Sequence, residues 1–409
     1  MLRLTRWTLL GLGLFHLPAV VAGAGGDLIW NFVDLESPGV CSKVSTDRGT
    51  AFTQYWSEGT ELVRGFDVAT GALRWQATGG PGEVASDLTA GDGMVLSTTY
   101  SPALAGTSVG TVFTRARDAA TGDLLWSQSL GPGHFRYEST AIAFDSKVTA
   151  VVGGRRTAGD PGNVFDFFVA TYDTTTGAPR WTDVFDVSRS WDRAEAVAVG
   201  GGVVAVGGRI TRESIDLFHV RVYSALSGTL LWHNSVGGRE ASALVIRGGR
   251  IYVTGLAGFS LADGSHVRAY ELRTGALLWQ RHVPDAWMQS IAILGKKLVV
   301  GGRREDRKSE VRAYRRDTGR SLWRSRRTRS VVRDLAVGTN RVYAAGDVFN
   351  GFTFIQALKG GSAKRLWSRG FGASKGRPEN CSLALENGYL VVASSLGAGG
   401  GQIVSAYVP

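Results

Sequence analysis

The chain has 409 residues, 44% of them hydrophobic and 20% charged, with a net charge of +11 and 56 glycines against 10 prolines. That length suits two or three ordinary domains or one large repeat architecture, and the apolar share excludes a disordered polymer. Many glycines among Val, Thr and aromatic residues predict short strands and tight turns.

Arg3 and Arg6 precede an apolar stretch of 15 residues, Trp7 to Val21, and Ala22-Gly23-Ala24 has the small-x-small form of a cleavage site. This pattern predicts a secretory signal peptide over residues 1–24, with an uncleaved N-terminal anchor as the alternative. The stretch is short for a transmembrane helix. The mature chain, 25–409, is therefore expected in the periplasm or outside the cell.

From there one phrase recurs: a small residue, an aromatic or Arg, often an acid, then Thr-Gly and a Leu-x-Trp-like ending. It reads GFDVATGALRW to Trp75, ARDAATGDLLW to Trp126, TYDTTTGAPRW to Trp181 and VYSALSGTLLW to Trp232. It continues as AYELRTGALLW to Trp279 and AYRRDTGRSLW to Trp323, then as a degenerate ALKGGSAKRLW to Trp367. The N-terminal side holds only the tail, GGDLIW, ending at Trp30, and the C-terminus only the head, Ser405 to Tyr407. Successive tryptophans lie 45, 51, 55, 51, 47, 44 and 44 residues apart, and each interval holds four short apolar runs. Four strands in such an interval make one propeller blade. The expected fold is all-β, an eight-bladed β-propeller whose ring closes when Leu28 to Trp30 supplies the fourth strand of the C-terminal blade. Such closure leaves no free sheet edges between blades. The eight tryptophans are read as structural, each indole lying against a small residue ten positions earlier, such as Gly65 or Ala116.

The phrase resembles the pyrroloquinoline-quinone (PQQ) type repeat with its tryptophan-docking motif, A-x-D-x-x-T-G-x-x-x-W, over nearly all of the mature chain. The resemblance implies an eight-bladed ring. The family holds quinoprotein dehydrogenases and also non-enzymatic propellers, including the periplasmic scaffold that helps assemble outer-membrane proteins, so fold does not decide activity. The dehydrogenases use adjacent cysteines, an Asp base, a Trp against the quinone and a Ca²⁺ held by Glu, Asn and Asp. Here Cys41 and Cys381 are far apart, acids are scattered, and the six histidines form no metal-like pair. No catalytic residue, cofactor or metal is therefore assigned. The leading expectation is a non-catalytic binding or scaffold module. A PQQ-dependent oxidoreductase with calcium and a carbohydrate-binding propeller are the alternatives.

Cys41 and Cys381 fall where the innermost strands of the first and last blades begin, so a disulfide locking the seam is expected, two separate thiols being the alternative. Trp191 and Trp287 fall in loops leading into inner strands, as do His134-Phe135 and Phe371. Ser42, Ser86, Ser139, Glu195, Ser242, Gln289 and Arg333 begin the inner strands and are expected to ring the channel mouth. Trp191, Arg193, Glu195, Trp287, Gln289 and Arg333 form the predicted surface for a protein or glycan partner, unless they pack the loops. Arg303 to Arg333 is dense in arginine and is a candidate for an anionic partner, or else a set of solvated faces. No nucleic-acid motif accompanies it, and none is expected to bind. A monomer is expected.

Overall fold

A computed structural model describes residues 25–34, 39–101, 110–131, 135–157, 164–185, 191–348, 352–371, 381–395 and 401–409. The leader 1–24 and His134 lie outside them, as do the side chains of Cys41, Ser42, Phe135 and Phe371.

The strands form eight four-stranded antiparallel sheets. Seven are consecutive meanders whose innermost strands are Gly39–Asp47, Val84–Gly91, Phe135–Phe144, Arg193–Gly200, Glu240–Ile246, Ala286–Leu294 and Ser330–Gly338. The eighth combines Cys381–Glu386, Tyr389–Ser395 and Gln402–Tyr407 with the N-terminal strand Leu28–Asp34, in which Trp30 pairs with Ala406. The expected closure is therefore present. Antiparallel order places the strand 1–2 and 3–4 turns at one end of every blade. The 2–3 turns and the blade-to-blade loops lie at the other, where each inner strand begins.

Burial follows position in the blade. Middle strands such as Asp166–Asp173 are buried on both faces because they are sandwiched between neighbouring blades. Outer strands such as Leu124–Leu130 alternate, with only Trp126 buried. The core accordingly lies between blades. Val148, Val152 and Phe167 of blade 3 pack with Ala194, Val204 and Tyr223 of blade 4, and at the seam Trp30 and Phe32 pack with Tyr55 and Phe66 of blade 1.

Each docking tryptophan meets two partners. Its own blade supplies the small residue: a Cβ on Gly65 would stand 2.7 Å from the Trp75 indole. The next blade supplies its turn, Thr-Gly or Ser-Gly in most joints; at Trp323 Gly361 lies clear of the ring and Ala363 takes the positive φ of 58°, and at Trp367 Gly25 and Gly26 form the turn. The Trp232 ring lies on Gly275, which holds φ 72°, and donates its indole N–H to the Leu272 carbonyl at 3.0 Å. A side chain at Gly275 would meet both the positive φ and the ring. Equivalent bonds run from Trp30 to Val68, Trp75 to Ala119, Trp126 to Thr174, Trp181 to Ala225, Trp279 to Arg316 and Trp323 to Gly360, all at 2.9–3.1 Å. Trp367 departs from the pattern. Its ring covers Gly25 and Gly26, but its buried N–H finds no acceptor among the described residues. Pro409 occupies the acceptor position, and its oxygen accepts from the Arg341 guanidinium instead.

The acid of the phrase builds the turn. Asp67 accepts from the Ala69 and Thr70 amides and the Thr70 hydroxyl, and pairs with Arg74 at 2.6 Å. Partial burial raises its pKa, but these donors outweigh it and hold the carboxyl at about 2. Asp118 and Asp173 repeat the arrangement, with the Thr121 and Thr176 amides lowering their pKa values.

Candidate functional site: a mixed-charge funnel

Seven inner strands share one irregularity. Their register slips by one residue near the start, leaving Ser42, Ser86, Thr140, Glu195, Ser242, Gln289 and Arg333 as the extra residue of a β-bulge. In blades 3 to 7 the cause is on the adjoining strand. A Cβ on Gly153, Gly208, Gly255, Gly302 or Gly346 would press into the carbonyl oxygen of Glu138, Arg193, Glu240, Trp287 or Val331. Only glycine permits that approach, so the extra residue is accommodated there. In blades 2 to 7 the bulge turns a polar side chain toward the axis.

The result is a funnel cavity of about 600 Å³. Lys43, Asp87, Glu195, Glu240, Arg333 and Asp334 supply its charge, and Trp287 and Gln289 line it as well. Of the predicted surface, Glu195, Trp287, Gln289 and Arg333 come together here. Trp191 does not reach the cavity. It stays 39% exposed on the rim, edge-on to Phe165 and under the Arg209 guanidinium at 5.2 Å. Arg193 also stands at the rim, 3.7 Å from Glu195. Ser86 and Ser242 line the wall as expected, but Ser139 does not. The bulge falls on Thr140, so Ser139 is buried, bonded to the Ser86 hydroxyl at 2.9 Å. Asp87, Glu240 and Asp334 were missed by the sequence reading, because an inner-strand acid looks like any other without the register.

The wall is wired laterally. Asp87 accepts the Ile142 amide of the next blade at 3.0 Å, and Asp334 accepts the Leu383 amide and the Ser382 hydroxyl. Gln289 donates to the Val332 carbonyl at 2.8 Å. Trp287 donates its N–H to the Ser242 hydroxyl, which donates in turn to Glu240, while Arg303 stacks over the indole at 5.1 Å. Burial raises the Glu195 carboxyl to about 7. Arg193, Arg209 and Arg239 counter that rise, and the Glu240 charge adds to it. Burial likewise raises Asp87, against the pull of Lys43.

The Arg303–Arg333 stretch is not one surface. Arg304, Arg312 and Arg326 converge on the buried carboxylate of Glu310, and Arg327 lies over Phe354 at 4.6 Å. Arg307 and Arg329 are exposed at the funnel end, whereas Arg315, Arg316 and Arg320 belong to turns at the opposite end. The strand meander separates residues that are close in sequence.

Among the described residues no three His, Cys, Asp or Glu side chains converge as a metal site. A hard cation needs several converging oxygens. Those of Asp87 and Asp334 are turned to neighbouring amides, Glu195 faces arginines, and Glu240 accepts the Ser242 hydroxyl.

The model of the outer membrane protein assembly factor BamB family matches residues 18–164 and 165–378. The chain belongs to this family. The crystal structure of BamB from Moraxella catarrhalis superposes with a TM-score of 0.58 at 17% identity, covering 92% of this chain and 100% of that one. The computationally designed Ika8 protein gives 0.64 at 18%, covering 92% and 98%. The quinohemoprotein alcohol dehydrogenase ADHIIG from Pseudomonas putida HK5 gives 0.58 at 12%, covering 92% and 76%. At these identities the structural likenesses show the fold alone. No curated protein matches the sequence.

Proposed function

We propose that this chain is an exported, non-catalytic propeller that holds a protein partner over its funnel end. Membership of the BamB family supports a binding propeller of the cell envelope. The observation that carries the reading is the funnel itself. Charged side chains of both signs and an aromatic converge there, and their inner strands are locked to one another by side-chain bonds. Such a surface is preorganised for a polar ligand. Glu195, Gln289, Trp287 and Arg333 form the inner contact, and Trp191 and Arg193 the rim. We also infer the Cys41–Cys381 bridge. Cys381 is buried on the inner strand of blade 8, beside the blade 1 strand that carries Cys41.

The test is a photo-crosslinking residue placed at Trp191 or at Phe259, which is exposed in the 2–3 turn of blade 5 at the funnel end, with Leu124 on the outer rim as control, in cells carrying the full chain. A defined adduct from the funnel end that disappears in Glu195→Gln/Arg333→Gln supports the reading. Equal adducts from the outer rim refute it. Saturable quenching by PQQ with calcium, accompanied by dye-linked turnover, would replace it with the oxidoreductase reading. Salt-insensitive binding of a neutral sugar would replace it with the carbohydrate reading.

A further inference from the structure

The end opposite the funnel carries the strand 1–2 and 3–4 turns, and its charge is divided by blade. In blades 1 to 3 these turns hold Asp47, Asp67, Asp92, Asp118, Asp123, Asp145 and Asp173 against the cations Arg48 and Lys147. In blades 5 to 7 the corresponding turns hold Arg247, Arg273, Lys296, Arg320, Lys359 and Lys364, all exposed, with further cations beside them. The acids there are Glu271 and Asp317, and both are engaged. Glu271 accepts from the Arg273 and Thr274 amides, and Asp317 pairs with Arg315 at 2.9 Å. The repeat phrase calls for no cation at these turns, although Arg273 donates to the Gly201 carbonyl of the preceding blade at 2.8 Å. Lys359 stands where blade 1 has the turn-building Asp67.

Two apolar features lie within this basic sector. A cleft of about 430 Å³ between blades 5 and 6 is lined by Val245, Ile246 and Ile293, with Arg247 and Arg316 at its sides. Leucines at the start of outer strands are exposed all round the rim, Leu73, Leu124 and Leu230 among them, but only in blades 5 to 7 do they, as Leu277, Leu278, Leu322 and Leu366 at 38–45% exposure, follow directly after cationic turns. Cations beside exposed aliphatic groups, spread over three adjacent blades at one end, match an anionic bilayer surface. Its head groups pair with Lys and Arg while its upper acyl region accepts leucine. A soluble polyanion would use the charge and leave the leucines in water.

A second copy of the chain would have to offer its acidic sector. Those acids are already committed: Asp67 and Asp173 to their own turns and to Arg74 and Arg180, and Asp47 to the Gly93 amide. They leave little free negative charge to match the cations.

We propose that the turn face of blades 5 to 7 docks on anionic phospholipid, leaving the funnel pointing away from the membrane. This inference does not depend on what the funnel holds.

The experiment is co-sedimentation of the mature chain with vesicles of phosphatidylcholine plus phosphatidylglycerol and with vesicles of phosphatidylcholine alone. Binding to the first and not the second is expected. Each cation near a charged bilayer contributes about a fivefold change in affinity. Arg247→Glu/Lys296→Glu/Arg320→Glu should therefore weaken binding by at least about 100-fold. Arg212→Glu/Arg307→Glu/Arg329→Glu, at three exposed cations of the funnel end outside the cavity wall, changes net charge equally and should leave binding within about fivefold of the parent. Unchanged circular dichroism in both variants keeps the comparison valid. Equal losses in the two variants, or no preference for anionic vesicles, would overturn the proposal. So would abolition of binding by inorganic phosphate at matched ionic strength, which would indicate a soluble-anion site. A doubled mass in light scattering that the first variant alone abolishes would assign the face to a second copy.

Discussion

Seven joints of this ring and the one at Trp367 use the same docking tryptophan, yet they are not equivalent. At the Trp232 joint, ring, glycine turn and indole hydrogen bond are continuous within one stretch of chain. At the Trp367 joint the turn is assembled from two distant segments, and the acceptor position is taken by Pro409, which bonds Arg341. The packing is kept and the hydrogen bond is lost. A repeat therefore specifies shape through side-chain size more robustly than it specifies hydrogen bonding, which depends on backbone continuity.

The largest effect should come from deleting the ring. Trp232→Ala is expected to destabilise the propeller by about 3–5 kcal/mol, and Trp367→Ala by the lower end of that range, measured by chemical denaturation. Equal losses would remove the distinction between the joints. Next, if Cys41 and Cys381 bridge the seam, reduction should lower stability by about 2–4 kcal/mol, and non-reducing peptide mass spectrometry should show the linked pair. Absence of that peptide ends the disulfide idea. A sharper comparison is Trp→Phe. At position 232 it leaves the Leu272 carbonyl without its donor, at a cost of about 1 kcal/mol beyond lost packing. At position 367 it removes a buried donor that has no acceptor, so the added cost should vanish.

The remaining effects concern pH. Asp67 has a folded pKa of about 2, below its ordinary value, so its stabilisation is full above about 4 and is lost as pH falls toward 2. Asp67→Asn should remove that part of the acid transition, by less than about 1 kcal/mol for a partly exposed pair. Blade 8 has Val408 at this position and offers no counterpart. Glu195 has the opposite sign. Its folded pKa, about 7, lies above the ordinary value, so stability is greater when it is protonated and falls as pH rises from about 4.5 through 7. Glu195→Gln should flatten thermal stability across that window; an unchanged slope would show that the carboxyl titrates normally.

Much of this molecule was legible in its sequence. The blade count, the split eighth blade and the structural role of the eight tryptophans follow from a periodic phrase, because each copy is a local supersecondary unit whose turn, small residue and ring lie within a dozen positions. The channel was legible in part. Glu195, Trp287, Gln289 and Arg333 were found from their place at the start of inner strands, and Ser139 was misplaced because a bulge shifts Thr140 into its role. The glycines in the second strands, as in VVGG at 151–154 and 299–302, were the available signal. Their meaning requires knowing which carbonyl lies opposite.

The sequence alone determined the ring, because repetition of a short-range pattern dictates the fold of each unit and stacking of units does the rest. Only the tertiary structure decided what the ring presents. Register slips set which side chains face the axis, and the strand meander sends neighbours in the Arg303–Arg333 stretch to opposite ends. Charges from separate blades meet at one face through contacts that no spacing along the chain encodes.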